Sequence, residues 1–177
     1  MTAKTNWTID PQHSVINFKV KHLAIANVSG IFKVCKGSLL SENEDFDNAE
    51  IHFEMDAGSI DTSNPERDTH LKSDLFLDAV KFPEIIFNGI LRKTGDDYKL
   101  DGELTILDTT KKIQMDAEHT GIGKGRFNDV RAGFEVSGKI NRKDFGLNFH
   151  LLNDAGDLVV GNDIKLHCDI ELIKQMS

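Results

Sequence analysis

The chain has no apolar run approaching the roughly 18 residues of a bilayer-spanning helix; its longest hydrophobic stretches are strand-sized. Cysteine is scarce. Cys35 and Cys168 are the only two, without CxxC or zinc-type spacing, so two packed thiols are the plain reading and a disulfide is the alternative. No basic run exceeds a pair such as Lys111-Lys112. With a formal charge of −8 and a pI near 5.3, this argues against a general affinity for nucleic acid or an anionic membrane, because phosphate is repelled unless a local basic patch reverses the field. The opening MTAKTNWTID has neither an apolar h-region nor a small-residue cleavage site, so the expected location is the cytoplasm.

Catalytic patterns are equally sparse. No serine sits in a GxSxG elbow, and the seven histidines show neither HxH nor HExxH spacing. GIGKGRF at 121–127 offers glycines and cations to a phosphate, yet Lys124 is not followed by Ser or Thr, and a strand rather than a helix comes next. NRKDFGLN at 141–148 shares a tripeptide with kinases without their glycine-rich loop or HRD segment. No catalytic residue, metal ligand or cofactor is therefore assigned.

What the chain does have is alternation. Ile16, Phe18 and Val20 alternate with polar residues; so do Ala49, Ile51, Phe53 and Met55, and again Tyr98, Leu100, Gly102, Leu104 and Ile106. The pattern returns in IQMDA, VRAGFEVSGKI and IKLHCDIEL, and GIFKVCKGSL and PEIIFNGIL bring the total to about eight antiparallel strands. An all-β domain spanning 1–177 follows, with a closed barrel favoured and a two-sheet sandwich fitting the same pattern. Small residues on the inward face (Ala49, Gly102, Ala117, Ala132, Gly138, Cys168) favour a cavity, although a glycine there also suits a bulge.

One segment breaks the pattern. In NPERDTHLKSDLFLDAVKFPEIIF, Ser63 or Asn64 can cap a helix, Pro65 suits its first turn, and Glu66 and Asp68 suit its positive end. A short helix around 65–75 is expected at one barrel end, with Leu71, Leu75 and Phe76 as its apolar face.

WTIDPQHSVINFKVKHL, RDTHLKSDLFLDAVKFPEIIF, GELTI, RKDFGLN and VGNDIKLHCDIEL occur in this order from Trp7 to about Ile173, and together they resemble the YceI-like family, also described as polyisoprenoid-binding. The chain departs from the family pattern at Asp108, where glycine is usual, and at FNG in place of Phe-x-Ser. The resemblance implies a lipocalin-like, extended eight-stranded antiparallel barrel that holds an isoprenoid or fatty-acid-like lipid, often as a homodimer, with no shared catalytic set. Many relatives look exported, which makes the periplasm the alternative location.

The expected function is non-enzymatic lipid binding, sequestration or transport. Phe18, Phe53, Leu71, Phe76, Phe87, Leu104, Ile106, Phe134, Phe145 and Leu166 are the candidate tail contacts, and Arg67, Asp68, His70, Arg142 and Asp144 stand near the pocket mouth or head group. The rival readings are an enzyme using His13, His22 or His70 in the same cavity, and a packed barrel with a stress-related role.

Overall fold

The computed structural model describes residues 3–23, 25–148 and 160–176. Its strands are β1 (Thr5–Ile9), β2 (Val15–His22), β3 (Ala26–Phe32), β4 (Cys35–Ser41), β5 (Ala49–Asp56), β6 (Ile60–Asp61), β7 (Glu84–Thr94), β8 (Asp97–Ile106), β9 (Thr109–Lys124), β10 (Val130–Asn141) and β11 (Val160–Lys174); the helix α1 is Pro65–Lys72.

Six of these strands are halves of three bent paths. β1 and β2 both lie along β11, with Trp7 opposite Lys174 and Ile16 opposite Cys168. β4 pairs with β1 while β3 pairs with β2, and β5 and β6 pair in turn with β4 and β3. The bends fall at the single turn Pro11–His13, at Lys33–Val34 and at the turn Ala57–Ser59. Counted as paths there are eight, each antiparallel to the next, and β11 pairs back with β1 and β2 to close the ring. Closure excludes the sandwich and removes the long exposed edges that an open sheet would carry; among the described strands the two-residue β6, paired with β3 alone, ends the order. β1 lay hidden in the sequence because Asp10-Pro11 breaks the alternation right after it.

The first bend is stapled from outside. Asp10 N donates to Glu171 O at 2.8 Å, and Glu171 N to Ser14 Oγ at 2.9 Å. Arg131 Nη1 reaches Asp10 Oδ2 at 2.6 Å and Glu171 Oε1 at 2.7 Å, and its Nε reaches Asp129 at 2.9 Å. The His13 imidazole bonded to Asp10, and then Arg131, hold the Asp10 carboxyl down at about 2.

One end of the barrel is filled. Trp7 and Phe46 are wholly buried, with ring centroids 5.2 Å apart; Phe46 also meets Phe134 at 5.3 Å and His119 at 5.0 Å. A β-bulge between Gly133 and Phe134 sets His119 opposite Phe134, and the two rings stack. Burial holds the His119 pKa below the ordinary imidazole value. Phe46 is brought in by the 42–48 connection, which Tyr98 Oη ties down through Asp45 O. Ala49, Ala117 and Ala132 are all at most 3% exposed in the same core as this aromatic cluster.

The helix covers the other end. Asn64 caps it by accepting from Arg67 N, and Pro65 opens it. It stops at Lys72, short of the expected residue 75, and turns carry the chain on to Pro83. That early stop corrects the expected apolar face: Leu75 is 60% exposed and Leu77, 5% exposed, is buried in its place beside the half-buried Leu71 and Phe76.

Candidate functional site

The inward residues leave a cavity of about 200 Å³. Its wall runs from Leu91, Leu100 and Leu172, near the aromatic cluster, to Ile60, Phe76, Leu77 and Leu147, near the helix. A dry apolar cavity of about 150 Å³ is already large enough to bind a small hydrocarbon ring. This one is narrow for the length of wall that encloses it, a shape that suits a chain.

The narrow bore comes from how the phenylalanines lie. Gly37 stands opposite Phe53, and a Cβ on that glycine would fall 2.8 Å from the Phe53 ring. Phe18 covers Gly30 in the same way, and the Phe87 ring covers the paired Gly89 and Gly102. Each ring thus lies along the wall over a missing side chain instead of projecting across the lumen. Met115 fills the space over Gly138. This corrects the expectation that the small inward residues themselves open the cavity: Ala49 and Ala132 sit within packed core, Gly102 and Gly138 are covered, and of the six only Ala117 and Cys168 line the space.

The wall is hydrocarbon almost throughout. His52 belongs to it, but its carbonyl faces Gly37 while its imidazole bonds Asn88 and Glu54 on the exposed outer surface. Cys168 lines the cavity as a free thiol, and burial pushes its pKa up to about 12, so it remains protonated. Cys35, also free, packs against the core.

Of the residues expected to touch ligand, Phe18, Phe53, Phe76, Phe87, Leu104, Ile106, Phe134 and Leu166 line the cavity. Leu71, Phe145, Arg67, Asp68, His70 and Arg142 do not, and neither does Asp144. Leu71 and the buried Phe145 pack behind the wall. Arg67 donates from Nε to Thr62 Oγ1 at 2.8 Å and from Nη2 to Thr62 O at 2.7 Å. The buried Asp68 accepts from Thr62 N and Thr62 Oγ1. Both thus fasten the helix to the strand end through a shared grip on Thr62, in place of the expected position at the pocket mouth. His70 is an exposed residue of the last helical turn. Arg142 is fully buried and ties Leu147 to β11, donating to Leu147 O at 2.6 Å and Gly161 O at 2.9 Å.

Sequence reasoning missed several lining residues, notably Phe32, Met55, Ile113, Met115 and Ile140. Alternation was the available signal for four of them: Met55, Ile113, Met115 and Ile140 each lie an even number of residues from a recognised inward position on the same strand, whereas the strand of Phe32 offered no such reference.

Among the described residues, two groups could ligate a metal by distance alone: Asp10, His13 and Glu171, and Glu135, His167 and Asp169. Arg131 already neutralises the first, and the second is exposed on the outer face.

The closed antiparallel barrel with an apolar lumen defines a lipocalin-like fold. Its particular family follows from the sequence match: a model of the YceI-like domain covers residues 7–172, and the chain belongs to that family. It is 34% identical over 165 residues to Protein YceI of Salmonella newport, covering 93% of this chain and 83% of that one. Among solved structures, the Campylobacter jejuni YceI protein superposes with a TM-score of 0.70 at 31% identity, covering 89% of this chain and 91% of its own. A polyisoprenoid binding domain from Saccharophagus degradans, implicated in plant cell wall breakdown, superposes with a TM-score of 0.72, covering 96% and 98%; at 14% identity it speaks to the fold alone.

Proposed function

We propose that this protein binds a lipid with a long apolar tail, an isoprenoid or comparable chain, and carries or sequesters it without chemical change. The observation that supports this most is the wall itself, a narrow lumen lined by hydrocarbon from the aromatic cluster to the helix. Burying each methylene of a tail there is worth about 0.8 kcal/mol before ordering costs, so affinity needs few polar contacts. The polyisoprenoid binding described for the similarly folded Saccharophagus domain points the same way.

The enzymatic reading finds less support. None of His13, His22 and His70 lines the cavity, and the wall brings no cluster of titratable side chains to bear on a substrate among the described residues. Native mass spectrometry of the purified protein, followed by solvent extraction, should show a bound lipid or uptake of added prenyl lipid. Leu166→Asp, which sets a charge on the lumen wall, should abolish retention. Wild-type protein that is repeatedly empty and takes up no prenyl lipid would end the carrier reading.

A further inference from the structure

The outer face of the barrel near its helix end carries a feature that sequence order conceals. Lys139 stands directly opposite Lys165, and Lys165 directly opposite Lys19, so three lysines form a row across β10, β11 and β2. Lys21 lies two residues further along β2 on the same face, and all four are exposed. Like charges set directly opposite one another in a sheet are destabilising. Among the described residues only Lys139 has an acid partner, Asp163 at 3.7 Å; Lys19, Lys21 and Lys165 have none. On a chain with a net charge of −8 this is a local reversal of sign.

An apolar tip adjoins the row. The β2–β3 hairpin ends in Leu23, 37% exposed, and Ile25, 81% exposed, and Leu23 holds a left-handed backbone with φ 54° that a branched side chain rarely adopts. Phe18 and Leu166, each next in sequence to a lysine of the row, face inward and line the cavity. Patch and tip therefore lie on the outside of the same wall that the lumen uses.

We propose that this face docks on a bilayer containing anionic lipid, with Leu23 and Ile25 entering the interface and Lys19, Lys21, Lys139 and Lys165 meeting the headgroups. An apolar insertion combined with a basic patch is the two-signal arrangement that gives stable yet reversible membrane attachment. The proposal rests on the carrier reading, since it supplies the surface from which a lipid would be loaded or delivered.

The test is co-sedimentation of the full chain with vesicles of phosphatidylcholine alone or mixed with phosphatidylserine. The wild-type protein should partition onto the mixed vesicles and not onto the neutral ones, and added salt should release it. Lys19→Glu with Lys165→Glu should weaken that partition about tenfold or more, and Ile25→Asp should weaken it as well. Phe127→Ser, at the exposed tip of the β9–β10 hairpin, should leave it unchanged. If the double glutamate variant fails to fold, Lys19→Gln with Lys165→Gln removes the same charges.

Equal partition onto both vesicle types, indifference to the lysine changes, or an equal loss with Phe127→Ser would each overturn the proposal. So would tight binding to an RNA oligomer combined with none to vesicles. Bound-lipid content, measured on the same preparations, keeps the two readings apart: a lipid-filled protein that ignores anionic vesicles refutes docking alone, and an empty one that still docks refutes the carrier reading alone.

Discussion

The two ends of the barrel are built from similar side chains and end up in different states. At the aromatic end, Trp7 and Phe46 are 0% exposed. Toward the helix end, Phe18, Phe32, Phe76, Ile164 and Leu166, which line the cavity, are only half-buried. The difference lies in how each covering segment is held. The 42–48 connection sends a whole aromatic ring into the lumen and holds it there through Asp45 and Asp47, which meet Tyr98 Oη and Lys93 N. The helical cover is fastened mainly by polar bonds outside the lumen, through Asn64, Thr62, Arg67 and Asp68. Packing closes one end, while hydrogen bonding holds a cover over the other and leaves the bore unfilled. A binding barrel needs that asymmetry, because an interior plugged at both ends has no route for a tail.

The largest expected effect tests the packed end. Phe46→Ala removes a fully buried ring that touches three others and should cost about 3–5 kcal/mol in urea unfolding. Phe76→Ala, at the half-buried end, should cost about half as much or less. Equal losses would erase the distinction between the two ends.

A smaller effect probes the clamp on the first bend. The Asp10 carboxyl, held by His13 and then Arg131, titrates at about 2 in the folded chain against an ordinary value of 3.8. A depressed carboxylate adds stability above its unfolded pKa and loses it as pH falls through its folded one. The clamp should therefore contribute about 2 kcal/mol near neutrality, lost between roughly pH 4 and pH 2. Denaturation midpoints measured across that window should fall for the wild type and fall less for Asp10→Asn, the two converging at the acid end. Parallel curves would show that the bend is held by its backbone bonds instead.

Much of this fold could be read from alternation, because a half-buried strand writes its two faces into the sequence at period two; Tyr98, Leu100, Leu104 and Ile106 are all buried as expected. The helix was legible from Asn64 and Pro65. What escaped depends on partners distant in sequence. No local pattern shows that Phe18 lies over Gly30, that Phe46 fills the barrel end from a connection, or that Lys19, Lys139 and Lys165 become neighbours. Arg67 and Arg142 were expected near a head group because charge beside aromatics is ambiguous in sequence; the deciding fact is which carbonyls lie within their reach.

The smallest expected effect bears on the helix end and on Arg67 in particular. Its guanidinium donates twice to Thr62, a buried residue that Asp68 grips from its own side. Arg67→Ala removes two hydrogen bonds at a half-exposed site and should cost about 1 kcal/mol, since Asp68 and the Asn64 cap still hold the cover. Because Arg67 does not line the cavity, lipid retention should be unchanged for neutral and for anionic head groups alike. A selective loss of anionic lipids would mean that the guanidinium leaves Thr62 when a ligand arrives. The cover would then be a head-group site as well as a lid, and the contrast between a packed end and a merely fastened end would become one between structure and recognition.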